Sequence, residues 1–118
     1  MNHTDHVNLL RDGVPVPGGI WADFGSGSGA FTLALAELLG SDGKIYSVDK
    51  DRRALQSQER VMHSQFPQVT VRYLPADFTR PLDLPTLDGI VLANALHFQR
   101  YRTQVAITVA DADSPPLS

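Results

Sequence analysis

No cysteine occurs among the 118 residues, which excludes disulfides and thiolate metal sites and fits a reducing compartment. Long hydrophobic runs are absent too: no stretch approaches the roughly 18 consecutive apolar residues of a membrane-spanning helix. The opening segment, MNHTDHVNLLRDG, shows no succession of basic, apolar and small residues of the kind that marks a secretory signal. The expected location is cytoplasmic. Positive charge is scarce, with a net charge of −3, and the densest basic groups are Arg52–Arg53 and the Arg-Tyr-Arg of residues 100–102. These are too short to make the basic stripe that tracks a phosphate backbone, so neither nucleic acid nor membrane is an expected partner. The histidines at 3, 6, 63 and 97 lack metal-ligand spacing, and no metal is expected. His97, alone after an apolar run, reads as a packed or pocket-lining residue rather than a base.

What is present suffices for one domain with one modest core, since 42% of the residues are hydrophobic. Residues 5–11 read as a short helix, and the GVPVPGG that follows reads as loop. IWADF, bounded by glycines, reads as a buried strand with Trp21 in the core. AFTLALAELL is apolar nearly all round, the signature of a helix packed between layers, and Gly40 stops it. Lys44–Asp49 alternates as a second strand. Asp51 is suited to cap a helix whose Leu55, Val61, Met62 and Phe66 share one face, and Pro67 ends it. Val69–Leu74 alternates as a third strand, and Leu87–Ala93 gives an apolar fourth after a proline-punctuated loop.

Strands that alternate with helices predict a parallel α/β sheet with helices on both faces, because parallel neighbours need crossovers. Right-handed crossovers give the strand order 3-2-1-4, and ligands of such sheets sit beyond the carboxyl ends of the strands where the order reverses. The glycines of DFGSGSGAF lie at that end of the first strand. Three ligands compete for them. A P-loop requires Lys-Ser/Thr after its glycines, and Ala30–Phe31 stand there instead. A dinucleotide fingerprint is satisfied in form by GSGSGA, with Asp49 closing the second strand as a ribose acceptor. The third ligand carries no phosphate. Asp23 lies two residues before Gly25, and Asp77 follows the third strand in PADF.

This set of four motifs, in this order on these strand ends, resembles the class I S-adenosylmethionine-dependent methyltransferases over about residues 9–98. The resemblance implies a Rossmann-like fold and S-adenosylmethionine as cofactor. It implies that Asp23, Gly25, Ser26, Gly27 and Gly29 form the loop around the methionine end. It further implies that Asp49 takes the ribose hydroxyls, Asp77 reads the adenine amine with Phe78 beside the ring, and Asn94 of LANALHF lies near the methionyl group. The chemistry agrees. Ribose hydroxyls and an adenine amine are donors that carboxylates accept well, and three nearby acids disfavour a pyrophosphate. The amides opening the second helix favour the cofactor's own carboxylate. Asp23 equally suits a bracing role, as an acceptor for loop amides.

The family's seven-stranded sheet continues past this point, whereas this sequence gives QRYRTQVAITVADADSPPLS and stops resembling it near Arg100. The expected organisation is a lead-in over 1–19, an incomplete cofactor-binding domain over 20–110, truncated after the fourth strand, and a disordered tail over 111–118. VAITV suits a short fifth strand, or the continuation of a helix. Were it not a strand, the fourth would be an open apolar edge, and self-association through that edge is expected. The expected function is methyl transfer to a small molecule, with no catalytic residue assigned. The alternatives are a truncated, non-catalytic cofactor-binding module and the nicotinamide-dinucleotide half of a reductase.

Overall fold

Strand β1 (Gly19–Phe24) lies at the centre of a five-stranded sheet, between β2 (Gly43–Asp49) and β4 (Leu87–Ala93). β3 (Thr70–Pro75) pairs outside β2, and β5 (Thr103–Val109) outside β4. Every pairing is parallel, and the order is β3-β2-β1-β4-β5. This computed structural model describes residues 2–93 and 103–109. The 3-2-1-4 order expected from alternating strands and helices is therefore the order found. The fifth strand is real in register, running from Leu87 opposite Thr103 to Ala93 opposite Val109. That corrects one expectation: β4 is paired on both sides, so its edge is not open for self-association. The sheet's outer strands are β3 and β5. The 111–118 tail lies outside the described residues.

The side chains of β1 alternate between two cores. Trp21 joins Ile45 and Val91 on one face, beneath helices α1 (His3–Arg11), α2 (Ala30–Leu39) and α3 (Arg52–Gln65). Ala22 and Phe24 join Val48, Ile90 and Leu92 on the other, packed by Leu74, Phe78, Leu82 and Leu84. Among the described residues all three helices lie on the Trp21 face, and helices for the second face are not among them. Fully burying each such Leu, Ile or Phe contributes about 1.5–3 kcal/mol by transfer from water. Trp21 lies so close to β4 that a Cβ built at Gly89 would stand 2.2 Å from its ring. Glycine there is a packing requirement.

Helix boundaries follow local chemistry. α2 starts after Gly29, in the left-handed region at φ 87°, and stops at Gly40, whose N–H donates to the Ala36 carbonyl. Asp51 caps α3 by accepting from the N–H groups of Arg53 and Ala54. α1 begins two residues earlier than its apolar pattern suggests, because Asn2 and Asp5 form a reciprocal capping box. One expected helical face needs correction. The buried stripe of α3 is Leu55, Gln58 and Met62, whereas Val61 is exposed and Phe66 follows the helix as its C-cap. The stripe thus contains a glutamine where hydropathy alone puts a valine.

Candidate cofactor site

The glycine loop spans the carboxyl end of β1 and the start of α2, and neighbouring strands fix it from below. The N–H groups of Gly25 and Ser26 both donate to the Val48 carbonyl, at 2.8 and 3.0 Å. The Gly27 N–H donates to Asp49 Oδ2 at 2.8 Å, and the Gly29 N–H closes a turn onto the Ser26 carbonyl at 2.9 Å. Gly25, Gly27 and Gly29 all have positive φ, a region that side chains other than glycine enter at a cost.

The three glycines differ in what surrounds them. A Cβ at Gly25 would touch the Phe78 ring at 3.4 Å. At Gly29 it would collide with Gln58 Cγ at 2.5 Å. At Gly27 it would meet, among the described residues, nothing nearer than the Gly25 carbonyl oxygen at 4.0 Å. Gly29 is therefore a packing position, while Gly27 faces open space. Beside it, α2 begins without a side-chain cap among the described residues, and the first amides of such a ten-residue helix suit an external acceptor.

Asp49 ends β2 half-buried, and each of its oxygens accepts one backbone N–H: Gly27 on Oδ2 and Asp51 on Oδ1, the latter at 2.9 Å. A carboxylate oxygen has two lone pairs, so each retains capacity for one further donor. The chain leaving β3 is hooked to the same strand end, with the Ala76 N–H donating to the Asp49 carbonyl at 3.0 Å. This hook sets Asp77 and Phe78 beside the glycine loop. Phe78 stacks on Phe24 with centroids 5.5 Å apart and planes 5° from parallel. Asp77 Oδ1 accepts from the Thr79 N–H at 2.9 Å and from its hydroxyl at 2.6 Å, and these bonds hold its carboxyl below the usual carboxylate range. Arg80 Nε stands 3.9 Å from the other oxygen, Oδ2.

Asp23 occupies a different environment. It is 2% exposed and accepts from Thr32 Oγ1 at 2.7 Å, so it braces α2 against β1 from beneath the loop. Burial raises its carboxyl to about 7; the Thr32 bond opposes that rise, and the Asp49 charge adds to it. Ser26 is likewise turned inward, its hydroxyl 2.8 Å from Ser47 Oγ and accepting from Gln58 Nε2 at 2.9 Å. The structure thus brings Gly25, Ser26, Gly27, Gly29 and Asp49 into one bonded unit, with Asp77 and Phe78 at its side and Asp23 behind. Asn94 and His97 lie outside the described residues.

A buried polar cluster beneath the loop, formed by Thr32, Ser47 and Gln58, is missing from the sequence reading. Its signal is legible in retrospect. Gln58 lies three residues after Leu55 and four before Met62, on the buried stripe, and Ser47 stands two residues after Ile45 in β2, on the same buried face. Among the described residues no buried side-chain nitrogen or oxygen lacks a partner. A polar cluster so fully satisfied is a specified feature of the fold.

Comparison with known proteins agrees with this fold. Residues 22–112 match the family described as "Methyltransferase domain". The ribosomal RNA small subunit methyltransferase H of Syntrophotalea carbinolica is 35% identical over 82 residues, covering 66% of this chain and 26% of that protein. The 2-phytyl-1,4-naphtoquinone methyltransferase of Trichormus variabilis is 35% identical over 73 residues, covering 62% of this chain and 31% of that protein. Among solved structures, a SAM-dependent O-methyltransferase from Thermotoga maritima superimposes with a TM-score of 0.67 at 23% identity, over 76% of this chain and 34% of that one. The chain spans about a third or less of the length of these proteins.

Proposed function

The chain belongs to the class I S-adenosylmethionine-dependent methyltransferases, with S-adenosylmethionine as cofactor, and from that membership we propose that the bonded unit of Gly25–Gly29 and Asp49 is its cofactor cradle. The observation that carries this reading is the 2.8 Å bond from the Gly27 N–H to Asp49. It ties the glycine loop to the acid that ends β2, which supports reading the loop as the approach to the amino-acid end and Asp49 as the ribose acceptor. The residues suit the ligand. Gly27 offers room for a close approach, the uncapped start of α2 suits a carboxylate, and Asp49 keeps lone pairs for two hydroxyl donors. Asp77 accepts from the adenine amine, with Phe78 beside the ring and Asn94 assigned to the methionyl end. Asp23 acts from beneath, holding α2 and so the loop's helical end.

The cofactor supplies an electrophilic methyl group on a sulfonium, which passes to an acceptor's lone pair. The protein's part is to bind and orient, because such a displacement depends chiefly on positioning. We propose a small molecule as the acceptor. The net charge of −3 and the lack of a basic stripe favour it over nucleic acid, although one of the relatives above is named for ribosomal RNA.

Calorimetry with S-adenosylhomocysteine and with nicotinamide dinucleotides tests the cradle. Tighter binding of a dinucleotide overturns it. Incubation with labelled S-adenosylmethionine and either small acceptors or ribosomal RNA then tests the acceptor: label on a small molecule supports the proposal, and label on ribosomal RNA alone overturns it.

A further inference from the structure

Gln58 is 3% exposed on the buried stripe of α3, where its neighbours Leu55 and Met62 are apolar. An amide in such a place is costly unless each polar atom is paired, and here each is. Oε1 accepts from Ser47 Oγ at 2.6 Å, and Nε2 donates to Ser26 Oγ at 2.9 Å and to the Gly27 carbonyl at 2.7 Å. Because the Gly27 carbonyl can only accept, the NH2 end of the amide must face the loop. The side chain fits because position 29 lacks a Cβ. Packing alone would be served by leucine or methionine, so the amide is present for its bonds.

Those bonds fix one peptide plane. The Gly27 carbonyl and the Ser28 N–H belong to the same peptide group, which is planar and trans, so they point in opposite directions. With the carbonyl anchored on the α3 side, the Ser28 N–H is aimed away from α3. The preceding peptide is fixed independently, by the Gly27 N–H on Asp49. We propose that Gln58 is a positioning residue for the cofactor. By holding the Gly27 carbonyl it presents the Ser28 amide, together with the start of α2, to the carboxylate of the cofactor's amino-acid tail.

This inference rests on the cradle reading, and the experiment separates the two. The full chain is titrated with S-adenosylhomocysteine and with methylthioadenosine, which keeps the adenine and ribose but has no carboxylate. Q58M retains the volume and loses the bonds. It should weaken S-adenosylhomocysteine about tenfold or more, the scale of one charge-assisted hydrogen bond, and methylthioadenosine less than about twofold. A merely structural defect would weaken both alike. A second measurement needs no variant: in the wild-type chain the Ser28 amide proton resonance should move downfield on binding S-adenosylhomocysteine and stay put with methylthioadenosine. Equal losses for both ligands, an undiminished Q58M, or an unmoved Ser28 amide overturns the role of Gln58 and leaves the cradle standing. A wild-type chain that binds neither ligand overturns both.

Discussion

The backbone N–H of Gly27 donates to Asp49 Oδ2 at 2.8 Å, tying the middle of the glycine loop to the end of β2. The acid proposed to take the ribose is thus also the acid that shapes the loop. Its other oxygen is similarly committed, to the Asp51 N–H at the start of α3. Asparagine is therefore no conservative substitute, since its NH2 group must face one of two N–H donors. Asp49→Asn should weaken S-adenosylhomocysteine nearly as much as Asp49→Ala, by about 1–3 kcal/mol in each case. Isothermal calorimetry checks this, and an Asp49→Asn chain that binds like wild type would show that the carboxylate's charge is not used.

The glycines should respond unequally to the same small change. Gly29→Ala drives a methyl group into Gln58 at φ 87°, so it should lower thermal stability markedly and disturb the loop with it. Gly27→Ala meets no atom of the described residues closer than 4.0 Å, and its φ of 55° costs about 1–2 kcal/mol. Gly27→Val should retain much of the fold and lose binding, because the branched side chain fills the space left for the ligand. Thermal melts paired with calorimetry read both effects. If Gly27→Val binds as tightly as the parent, the loop serves only as a turn.

The order of elements was legible because each carries its own local signal. Gly40 ends α2, Asp51 caps α3, and Ile45 and Val48 mark the two faces of β2. The acids stood out because they cluster at the carboxyl ends of the strands: Asp49 ends β2, Asp23 stands one residue before the end of β1, and Asp77 follows β3 by two residues. What escaped was the layer beneath. A hydropathy pattern scores Gln58 as outward and Val61 as inward, and the structure reverses them because the loop and β2 together offer a glutamine three well-placed partners. No count of apolar residues contains that information. β5 was ambiguous for another reason: Val105, Ile107 and Val109 suit a strand, but only pairing with β4 decides it.

Asp77 makes a claim about the base. Its Oδ1 already accepts two bonds from Thr79, so Oδ2, which has Arg80 Nε 3.9 Å away, is the oxygen with capacity to face an adenine amine. The wild-type chain should prefer S-adenosylhomocysteine over S-inosylhomocysteine, which presents a carbonyl in place of the amine, by about tenfold. Asp77→Ala should remove most of that preference while weakening the inosine ligand little. Competition binding measures the ratio, and an unchanged preference would remove Asp77 from the adenine site.

Packing at the centre of the sheet can be tested apart from any ligand. A Cβ at Gly89 would stand 2.2 Å from the Trp21 ring, which is buried between β1 and the helices. Neither β4 nor the ring has room to retreat without disturbing Val91 and Ile45. Gly89→Ala should cost about 1–3 kcal/mol, the usual range for overpacking, and shift the Trp21 fluorescence. Denaturant unfolding followed through that single tryptophan reports both.

The last prediction concerns Asp23 and pH. Burial raises its folded carboxyl to about 7 from an ordinary 3.8, against the pull of the Thr32 hydrogen bond and with the help of the Asp49 charge. The folded chain therefore holds this proton more tightly than the unfolded chain does. Below about pH 4 both forms carry it, and Asp23 contributes no pH dependence. Between about 4 and 7 the unfolded chain has released the proton and the folded one has not, so stability falls as pH rises. Above about 7 both are ionised and the loss levels off, at no more than about 4 kcal/mol. Asp77 has the opposite sign, because its carboxyl is held low, so the raw pH profile mixes the two. The difference between Asp23→Asn and wild type isolates the buried group. Asparagine keeps a carbonyl oxygen for the Thr32 hydroxyl and never ionises, so the variant should lack this part of the slope. Thermal melts at about pH 5 and about pH 8 should therefore show wild type gaining on the variant in acid and losing ground to it in base. Parallel profiles for the two chains would mean that Asp23 is ionised throughout, held so by partners stronger than the Thr32 hydroxyl, and that the bracing of α2 is a charged contact.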